Sequence, residues 1–587
     1  MKRKGILIAY LSTFLLLFSC KDSTKKSGSQ NAKAEPYQLR QTLYYGGNII
    51  TMEGDQPQYA EAVVQREGKI VFVGSKEEAF NQFKEKADEV DLQGKTMVPA
   101  FVDGHGHFYN TGFASIVANL LPPPDGPCGS IQEVVDATNK WKETEDGKFV
   151  LNKFGWIIGH GYDDSQLTEK DHPKATDLDK ISEDIPVLLI HQSEHLGVMN
   201  SKALELSGYT KDAKDPEGGH LRRNPDGSPN GVLEEKAMYN ILFPLLGKAD
   251  EEFAMKCIEK SQEQYAQNGY LTIQDGRTTA AQSKILNKAA TKGKFYLDII
   301  SYPDIDEQGF TMDEEYYNKN QYKNHYRVGG VKLTLDGSPQ GKTAWLTQCY
   351  HVNPVGKDGC YKGFPIMNDE KAKQYVDQAF QNQWQIICHT NGDAAIDQYL
   401  MAIADAEEKY GYPDHRTTII HGQTLRKDQI PMVKELDVYC SLFPTHTFYW
   451  GDWHRESVLG EPRADYISPC RDVIDAGINL TSHHDAPVIF PNSMRVYDAT
   501  VNRVTRTGYV LGPDQRVTPY EGLKTLTIWG AKQNFEENTK GSISEGKLAD
   551  LVILDKNPLK IDPMDIHNIQ VLESIKEGKT VYSKEKK

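Results

Sequence analysis

Apolar and polar residues alternate on two length scales between Thr96 and Pro487. Short apolar runs are separated by longer stretches whose apolar residues have helical spacing. Eight runs have the length and composition of strands: TMVPAFVD, GYLTIQD, FYLDIISY, GGVKLTLDG, WQIICHT, TTIIHGQ, DVYCSLFP and INLTSHHDAP. Most are apolar throughout, which is typical of parallel strands covered by helices. Eight such strands alternating with helices predict an α/β fold, a (β/α)8 TIM barrel, over residues 96–537.

The first two strand runs are far apart in the chain. The stretch between them, residues 110–268, is too long for one helix and has strand-like runs of its own, FGWIIGHG and DIPVLLIH. We therefore expect an α/β insertion after the first barrel strand. Because the loops that follow barrel strands lie on the catalytic face, the insertion is expected on that face.

Hairpin patterns flank the predicted barrel, one set before it and one set after it. Residues 38–95 contain LYYGGNIITM and VVQREGKIVFVG, and residues 538–587 contain GKLADLVILD and VLESIKEGKTVYS, with glycines at the turns. Two β-rich flanks around one barrel predict a small β-sandwich built from both termini. The alternative is two independent β extensions.

The first 20 residues have the features of an export signal. Lys2, Arg3 and Lys4 precede an apolar run over residues 6–18, which is short for a membrane span, and Cys20 follows a small residue. This pattern resembles a bacterial lipobox, with Cys20 as the lipidated residue. We expect a cell-envelope lipoprotein, at the outer membrane because Lys21 rather than Asp follows the cysteine. A plain secretory signal or an anchor helix is the alternative.

Composition narrows the picture further. Residues 21–37 are small and polar and predict a flexible tether. The chain of 587 residues is 39% hydrophobic and 25% charged, an ordinary globular composition. The net charge of −15 disfavours nucleic acid as a partner. Besides Cys20 the number of cysteines is odd and no CxxC occurs, so no disulfide framework is indicated, although pairing of Cys349 with Cys360 stays open.

Potential metal ligands stand at the carboxyl ends of five strand runs. His105 and His107 follow the first run, and residues two apart in an extended segment point the same way. Lys332 lies inside an apolar strand, where an ammonium is costly. It either pairs or snorkels, or it is converted by CO₂ to a carbamate that can bridge two cations.

The remaining members of the set complete a recognisable order. His389 ends the fifth run, His421 the sixth, and Asp485 the eighth. Nitrogen and oxygen donors of this kind suit Zn²⁺, with Mn²⁺, Fe²⁺ or Ni²⁺ as alternatives. If Lys332 stays an ammonium it repels a neighbouring cation, and a centre with one ion is expected instead of two.

In the order of these ligands the chain resembles the amidohydrolase superfamily, and within it amidohydrolase family 3, which includes N-substituted formamide deformylase-like proteins. The matching motifs are PAFVDGHGH, GHGYDDSQL, EHLGVMNSKAL, GGVKLTLDGS, HTNGDAAID, HHDAPV and KGSISEGKLADLVILD. One departure is SHHD in place of Gly-Ser-Asp, which adds His483 and His484 near the metal. The resemblance also implies a possible homodimer.

The resemblance implies a division of labour among the ligands. His105, His107 and Asp485 would hold one ion, His389 and His421 the second, and a carboxylated Lys332, counted with Asp485 as catalytic, would bridge them. Metal-activated hydroxide would attack a carbonyl, and Asp485 would carry the proton to the leaving nitrogen.

Substrate contacts are expected from the insertion and one strand end. The candidates are Tyr162, Asp163, His195 and Asp336, each with a purely structural role as the alternative. The expected activity is hydrolysis of a non-peptide C–N bond in a small amide, N-acyl or formamide substrate. The alternatives are an ester or lactone substrate for the same centre and, more distantly, a catalytically inactive ligand-binding surface lipoprotein.

Overall fold

The strands fall into four sheets in the computed structural model, which describes residues 41–586 apart from 195, 355 and 356. The predicted signal peptide and tether, Cys20 and His195 lie outside the described residues. In chain order the strands are β1 (Gln41–Ile50), β2 (Tyr59–Arg66), β3 (Lys69–Gly74), β4 (Asp88–Asp91), β5 (Thr96–Pro99), β6 (Phe101–Val102), β7 (Ala118–Asn119), β8 (Ile157–Tyr162), β9 (Val187–His191), β10 (Leu196–Met199), β11 (Gly219–Arg223), β12 (Pro229–Glu235), β13 (Tyr270–Thr278), β14 (Asp298–Pro303), β15 (Tyr326–Val328), β16 (Gly330–Thr334), β17 (Gln385–Thr390), β18 (Thr418–His421), β19 (Tyr439–Leu442), β20 (Leu480–Ser482), β21 (Leu551–Leu554), β22 (Val571–Lys576) and β23 (Lys579–Ser583).

Many of the helices begin at residues that cap them. Thr279 and Thr518 each accept a hydrogen bond from the backbone N–H three residues on, and the side chain there returns the bond. The helices are α1 (Lys76–Phe83), α2 (Phe108–Ile116), α3 (Ile131–Trp141), α4 (Glu145–Phe154), α5 (Ala175–Leu178), α6 (Ser201–Leu206), α7 (Lys236–Leu246), α8 (Glu251–Ala266), α9 (Ala280–Thr291), α10 (Asp369–Gln381), α11 (Asp393–Tyr410), α12 (Ile430–Glu435), α13 (His446–Trp453), α14 (Cys470–Asp475), α15 (Ser493–Asn502), α16 (Pro519–Leu526) and α17 (Ile528–Gln533). None of the helices in the described part of the chain has both the length and the apolar character needed to cross a membrane.

Both ends of the described chain contribute to one sheet, here called the terminal sheet. Its order is β23-β22-β21-β5-β1-β2-β3, and β4 pairs with the first half of β1. The β2–β3 and β22–β23 hairpins turn at Glu67-Gly68 and Glu577-Gly578, where all four residues have positive φ. Such turns match the twist of the strands they join, and they explain the glycines in the sequence pattern.

The run TMVPAFVD does not form one barrel strand. Its first half, β5, belongs to the terminal sheet, where it is antiparallel to β21, and only β6 pairs with the parallel strand β13. The expected domain boundary at residue 95 therefore moves to about residue 100. Burial hides this change in the sequence, because all four residues of β5 and both of β6 are buried.

Parallel strands β6 and β13–β20 occupy the eight positions expected from the sequence, and we call them the central strands. They form two sheets, β15-β14-β13-β6 and β16-β17-β18-β19-β20. Gly329 separates β15 from β16 and donates its N–H to Ser301, so one extended segment hydrogen-bonds to β14 and then to β17. At the other edge, His107 N–H donates to the carbonyl of Ala486, beyond β20.

Strands β7–β12 form a separate sheet within the expected insertion, in the order β11-β12-β10-β9-β8-β7. This insertion contacts the loops at the carboxyl ends of the central strands. Gln192 Nε2 donates to Val488 O at 2.9 Å, and Arg506 donates to Gln166 at 2.8 Å. Cys349 and Cys360, in the segment between β16 and α10, form a disulfide bond, the pairing that the sequence left open.

A buried network of charges lies where the central strands begin. Asp298, the first residue of β14, lies 2.7 Å from Lys540 Nζ and 2.5 Å from Lys576 Nζ. Lys540 also contacts Glu536, and Lys576 contacts Asp550. None of the five is more than 6% exposed. Because Lys576 belongs to β22, the network joins the terminal sheet to the central strands.

Candidate metal centre

The carboxyl ends of the central strands bring the sequence-predicted metal ligands together. His105 and His107 follow β6, Lys332 lies in β16, and His389, His421 and Asp485 come from β17, β18 and the residues after β20. His105, Lys332 and His421 are at most 3% exposed, and Asp485 is 8% exposed. Residues separated by up to 380 positions in the chain thus share one buried site.

His105 and Lys332 meet directly. Lys332 Nζ lies 2.9 Å from His105 Nε2, while His105 Nδ1 faces Gln274 Oε1 at 3.3 Å. The amide oxygen can only accept, so Nδ1 carries the proton and Nε2 presents a lone pair to the site. Gly276 makes room for this ring, since a Cβ there would lie 2.1 Å from His105 Cε1.

Asp485 is the carboxylate of the site. Its Oδ1 lies 3.1 Å from His107 Nε2 and 3.7 Å from His105 Nε2. Burial raises the pKa of Asp485, but the nearby histidines lower it more, and the net pKa lies well below its usual range. The Asp485 backbone has φ of 54°, a conformation that costs energy for a residue with a side chain and that is enriched at functional sites.

His421 and His389 form the other side of the site. His421 Nε2 lies 3.1 Å from His389 Nδ1 and 4.0 Å from Asp485 Oδ2. His389 Nε2 lies 3.1 Å from both the Gly337 carbonyl and Asn391 Nδ2, so this ring has a partner in either tautomer. His421, like Asp485, has a left-handed backbone, with φ of 73°.

The electrostatics of the site favour neutral nitrogen donors. Burial lowers the pKa of His389 to about 3, and it places the pKa values of His105 and His421 well below 6.5. Burial also lowers the pKa of Lys332 to about 8, although Asp485 opposes the shift. Neutral imidazoles around one carboxylate are a donor set that suits a divalent cation. The ligand atoms of His105, His107 and Asp485 all lie within 4.8 Å of one another.

Comparison with known protein families identifies the family to which the chain belongs. The model of the Amidohydrolase family matches residues 88–582, which include every residue of the site. The chain belongs to the amidohydrolase family. The matched range begins at β4 and takes in β5, the insertion, the central strands and β21–β22, while β1–β3 precede it.

Relatives of this amidohydrolase are distant but cover nearly its whole length. YtcJ of Bacillus subtilis (strain 168) is 27% identical over 92% of this chain and 99% of its own. An N-substituted formamide deformylase of Arthrobacter pascens is 24% identical over 93% of this chain and 99% of its own. An uncharacterized metal-dependent hydrolase from Pyrococcus horikoshii OT3 superposes with a TM-score of 0.69 at 24% identity, over 89% of this chain and 99% of its own. The amidohydrolase therefore shares the fold of a metal-dependent hydrolase.

Two of the expected substrate contacts lie in the interior of the insertion instead. Tyr162 is 0% exposed, and its hydroxyl lies 3.1 Å from His172 Nδ1. Asp163 is 4% exposed and accepts from the backbone N–H and the hydroxyl of Ser165. Both side chains have hydrogen-bond partners within the insertion, and their contact with substrate stays a prediction. His195, the third candidate from the insertion, lies outside the described residues.

Asp336 is held by backbone groups of neighbouring loops, and its contact with substrate also stays a prediction. It is 1% exposed, and its two oxygens accept backbone N–H groups of Trp345, Asn391 and Gly392 at 2.7–3.0 Å. Burial raises the pKa of Asp336 to about 7 although these hydrogen bonds lower it. The carboxylate fixes the loops after β16 and β17, and it thereby helps to position His389, near the end of β17.

Several residues of the site escaped the sequence analysis. Gln274 and Ser441 orient histidines, and their only signal is a polar residue within an apolar strand. Glu194 comes from the insertion, and although burial raises its pKa, the hydrogen bond to His160 together with the charge of nearby His107 holds that pKa below the usual value. Glu194 is 3.2 Å from His160 Nε2, and its left-handed backbone, with φ of 62°, accepts a hydrogen bond from Tyr239. The insertion thus contributes a carboxylate near the metal ligands.

Proposed function

We propose that this amidohydrolase is a metal-dependent enzyme that hydrolyses a non-peptide C–N bond in a small amide, N-acyl or formamide substrate. One observation carries the proposal: the imidazoles of His105, His389 and His421 converge with Lys332 and Asp485 within a single buried site. The deformylase activity in the name of the Arthrobacter pascens relative supports the bond type.

The donor set supports Zn²⁺, as one or two ions. His105, His107 and Asp485 would hold the first ion, and His389 with His421 the second, with Lys332 between them. A bound divalent ion supplies an acidified water and polarises a carbonyl. The protein's own side chains would carry out the remaining steps of the reaction.

Lys332 is suited to become a carbamate. With its pKa near 8, an appreciable fraction of the buried amine is neutral near physiological pH, and the neutral amine is the form that attacks CO₂. The new N–C bond forms as a proton leaves the nitrogen, and the product is N6-carboxylysine. This converts a repulsive ammonium into an anionic oxygen ligand at the centre of the site.

Asp485 is suited to move the proton. Its low pKa keeps it an anion that accepts a proton from the attacking water, and its Oδ1 lies beside His107. The carboxylic acid then gives the proton to the leaving nitrogen as the C–N bond breaks. An amine is a poor leaving group without that proton, so this step matters more for amides than for esters.

Two finer features of the architecture belong to the proposal. We propose that the central strands close into one (β/α)8 barrel, supported by the Gly329 segment at one edge and the His107–Ala486 hydrogen bond at the other. The terminal sheet would act as the β-sandwich domain of both termini. Its two separate apolar clusters, one with Leu551 and the other with Leu43 and α1, show a core on each face of the sheet and support an independent domain.

Location and assembly rest on the sequence alone. We propose that Cys20 is lipidated and holds the enzyme at the cell envelope, at the outer membrane, through the tether of residues 21–37. Replacing Cys20 by Ala should release the mature enzyme from the membrane fraction. A homodimer is the proposed assembly, to be measured by light scattering of the purified protein.

A substrate panel tests the activity. The purified protein, treated with chelator and reloaded with Zn²⁺ or Mn²⁺, is assayed on N-substituted formamides, N-acyl amines and the matching esters and lactones. We expect turnover of an amide or formamide that chelation abolishes and metal restores. Turnover confined to esters or lactones supports the alternative substrate class, and metal binding without any turnover supports a ligand-binding protein.

A second experiment tests the carbamate. Reloading the metal-free enzyme in CO₂-free buffer and in bicarbonate should give one and two ions per chain, respectively. A Lys332→Ala variant should bind one ion in both buffers, and a short carboxylic acid should restore part of the second. Equal occupancy with and without bicarbonate in the native enzyme would show that Lys332 acts as an amine.

A further inference from the structure

We propose that His483 is a positioning residue that holds His421 with its Nε2 lone pair facing the metal centre. The inference rests on the proposed metal centre and deepens it. It accounts for the SHHD segment, in which the site carries a histidine two residues before Asp485.

The orientation begins at a main-chain carbonyl. The oxygen of Gly104, next to His105, can only accept hydrogen bonds, and it lies 3.1 Å from Ser441 Oγ and 2.9 Å from Gln533 Nε2. Ser441 therefore donates its hydroxyl proton to Gly104. Its oxygen is left as an acceptor, 2.9 Å from His483 Nδ1. In the neutral imidazole the proton is thus placed on Nδ1 of His483, and its Nε2 is an acceptor.

The same reasoning extends to His421. His483 Nε2 lies 3.0 Å from His421 Nδ1, so His421 carries its proton on Nδ1 and donates it to His483. The Nε2 of His421 is then unprotonated. This is the nitrogen that faces His389 Nδ1 at 3.1 Å and Asp485 Oδ2 at 4.0 Å. The chain of hydrogen bonds from Gly104 to His421 fixes which nitrogen is available to a cation.

Packing holds the members of this chain in place. Ser441 and His483 are 0% exposed and His421 is 3% exposed. The ring of Phe443 stacks on His483, with centroids 4.8 Å apart and planes inclined by 29°. His421 itself has a left-handed backbone, so its ring direction needs support from outside its own strand. Among the described residues, His483 supplies the hydrogen bond at Nδ1.

Each nitrogen ligand in the buried part of the site has a different orienting group. Gln274 serves His105, and the Gly337 carbonyl with Asn391 serves His389. Outer partners of this kind set the tautomer and basicity of metal-binding histidines, and their loss typically lowers metal affinity about 10–100-fold. His483 is the corresponding partner of His421, and its loss should affect the ion that His421 would bind.

The test measures metal occupancy at buffered free Zn²⁺ in three variants. In His483→Leu, which removes the acceptor, we expect occupancy to fall from two ions to one and the affinity for the second ion to drop about 10–100-fold. In His483→Gln, an amide oxygen can reach the position of Nε2, and most of the affinity should return. Ser441→Ala frees the tautomer and should have an intermediate effect. The absorption spectrum of the Co²⁺-loaded protein should change in the Leu variant and recover in the Gln variant.

A matched control separates positioning from stability. His415 is buried at the opposite end of β18 from His421, where it contacts Glu407 and the Leu436 carbonyl. His415→Leu should lower the thermal midpoint and leave metal occupancy unchanged. If His483→Leu does not fold, the comparison of His483→Gln with Ser441→Ala still decides the matter, since the Gln variant should retain more of the second ion.

The outcomes distinguish this inference from the proposed function. Two ions bound to His483→Leu with native affinity would overturn the role of His483 and leave the metal enzyme intact. Equal losses in the Leu and Gln variants would overturn it too, because the acceptor would then not matter. No divalent ion bound by the native protein would overturn the proposed function itself.

Discussion

The two ends of the central strands bury charged and titratable side chains in opposite ways. Where the strands begin, Asp298 faces Lys540 and Lys576, and these lysines face further carboxylates, so positive and negative charges alternate. Where the strands end, one carboxylate, Asp485, lies among histidines and Lys332. The first set pairs each charge with an opposite charge, and the second gathers several imidazole nitrogens around a single carboxylate.

The difference separates a structural network from a binding site. A buried charge with a hydrogen-bonded counter-ion needs no further ligand. Removing one partner leaves the other charge buried without compensation. At the carboxyl ends, burial lowers the pKa values of the histidines, so each neutral ring keeps one nitrogen with a free lone pair. A bound cation would therefore be stabilised by the nitrogen lone pairs that converge at this end. The following experiments probe each end separately.

The largest effect is expected at Asp485. Asp485→Asn keeps the shape of the side chain but removes the anion and the proton acceptor, so we expect kcat to fall on the order of 10³-fold. The variant should also retain less of the ion held with His105 and His107. Steady-state kinetics with metal analysis measure both. Activity within tenfold of the native enzyme would rule out Asp485 as the proton-transfer group.

At the other end, Asp298→Asn should act on stability. It leaves Lys540 and Lys576 buried with fewer counter-charges, and we expect the free energy of unfolding to fall by about 3–5 kcal/mol. Metal occupancy of the folded protein should not change. Urea unfolding gives the first quantity and metal analysis the second. The control is Glu315→Gln, which breaks the exposed pair with Lys323 and should have no measurable effect.

The pH dependence of the metal-free protein should come from the histidine end. Burial lowers the pKa of His389 and His483 to about 3, against about 6.5 for an unfolded histidine. Between these values the unfolded chain binds more protons, so stability is lost as pH falls below about 6.5, by up to about 1.4 kcal/mol per pH unit for each histidine. The pKa of Asp298 lies below its usual range, so its contribution is lost only below about pH 4.

Urea unfolding in chelator at pH 7.5, 6.5 and 5.5 measures this slope. In a His389→Gln variant, the free energy of unfolding should depend less steeply on pH, because one of the buried histidines no longer contributes. A flat profile over this range, or an unchanged slope in the variant, would contradict the idea that these rings are neutral when buried.

The smallest effect is expected from Gly276→Ala. The added Cβ would lie 2.1 Å from His105 Cε1, so the ring must move. We expect the affinity for the first ion to fall about tenfold, which corresponds to about 1.4 kcal/mol. Gly129→Ala is the matched control, because there the nearest atom is the flexible end of Glu133 at 3.4 Å. Equal affinity in both variants would show that His105 is not closely held.

The sequence predicted which side chains converge at the site better than it predicted their surroundings. His105, Lys332 and His421 each stand at or within an apolar strand, where a polar side chain that ends a parallel strand has few places to point. The orienting groups carry no such signal, because Ser441 reaches His483 only through the register of β19 and β20.

The sequence could not predict the hydrogen-bond partners of the expected substrate contacts. Tyr162 and Asp336 follow strands as ligands do, but the direction in which a side chain turns after a strand depends on which backbone N–H groups or rings lie nearby. For Asp336 those are three amides of adjacent loops, and for Tyr162 it is His172. The sequence also does not reveal that residues 96–102 are divided between β5 and β6. Both strands are buried, so the apolar run continues across the boundary without a break.

The pairing of β5 with β21 has a consequence for how the protein is made. Strand β5 ends at Pro99, only six residues before His105, yet its antiparallel neighbour begins at Leu551. The nascent chain can pair β5 with β1 early, but the other edge of β5 stays open until nearly all of the chain has left the ribosome. Contacts this distant in sequence are slow to form, so the order of synthesis and the order of assembly are opposed.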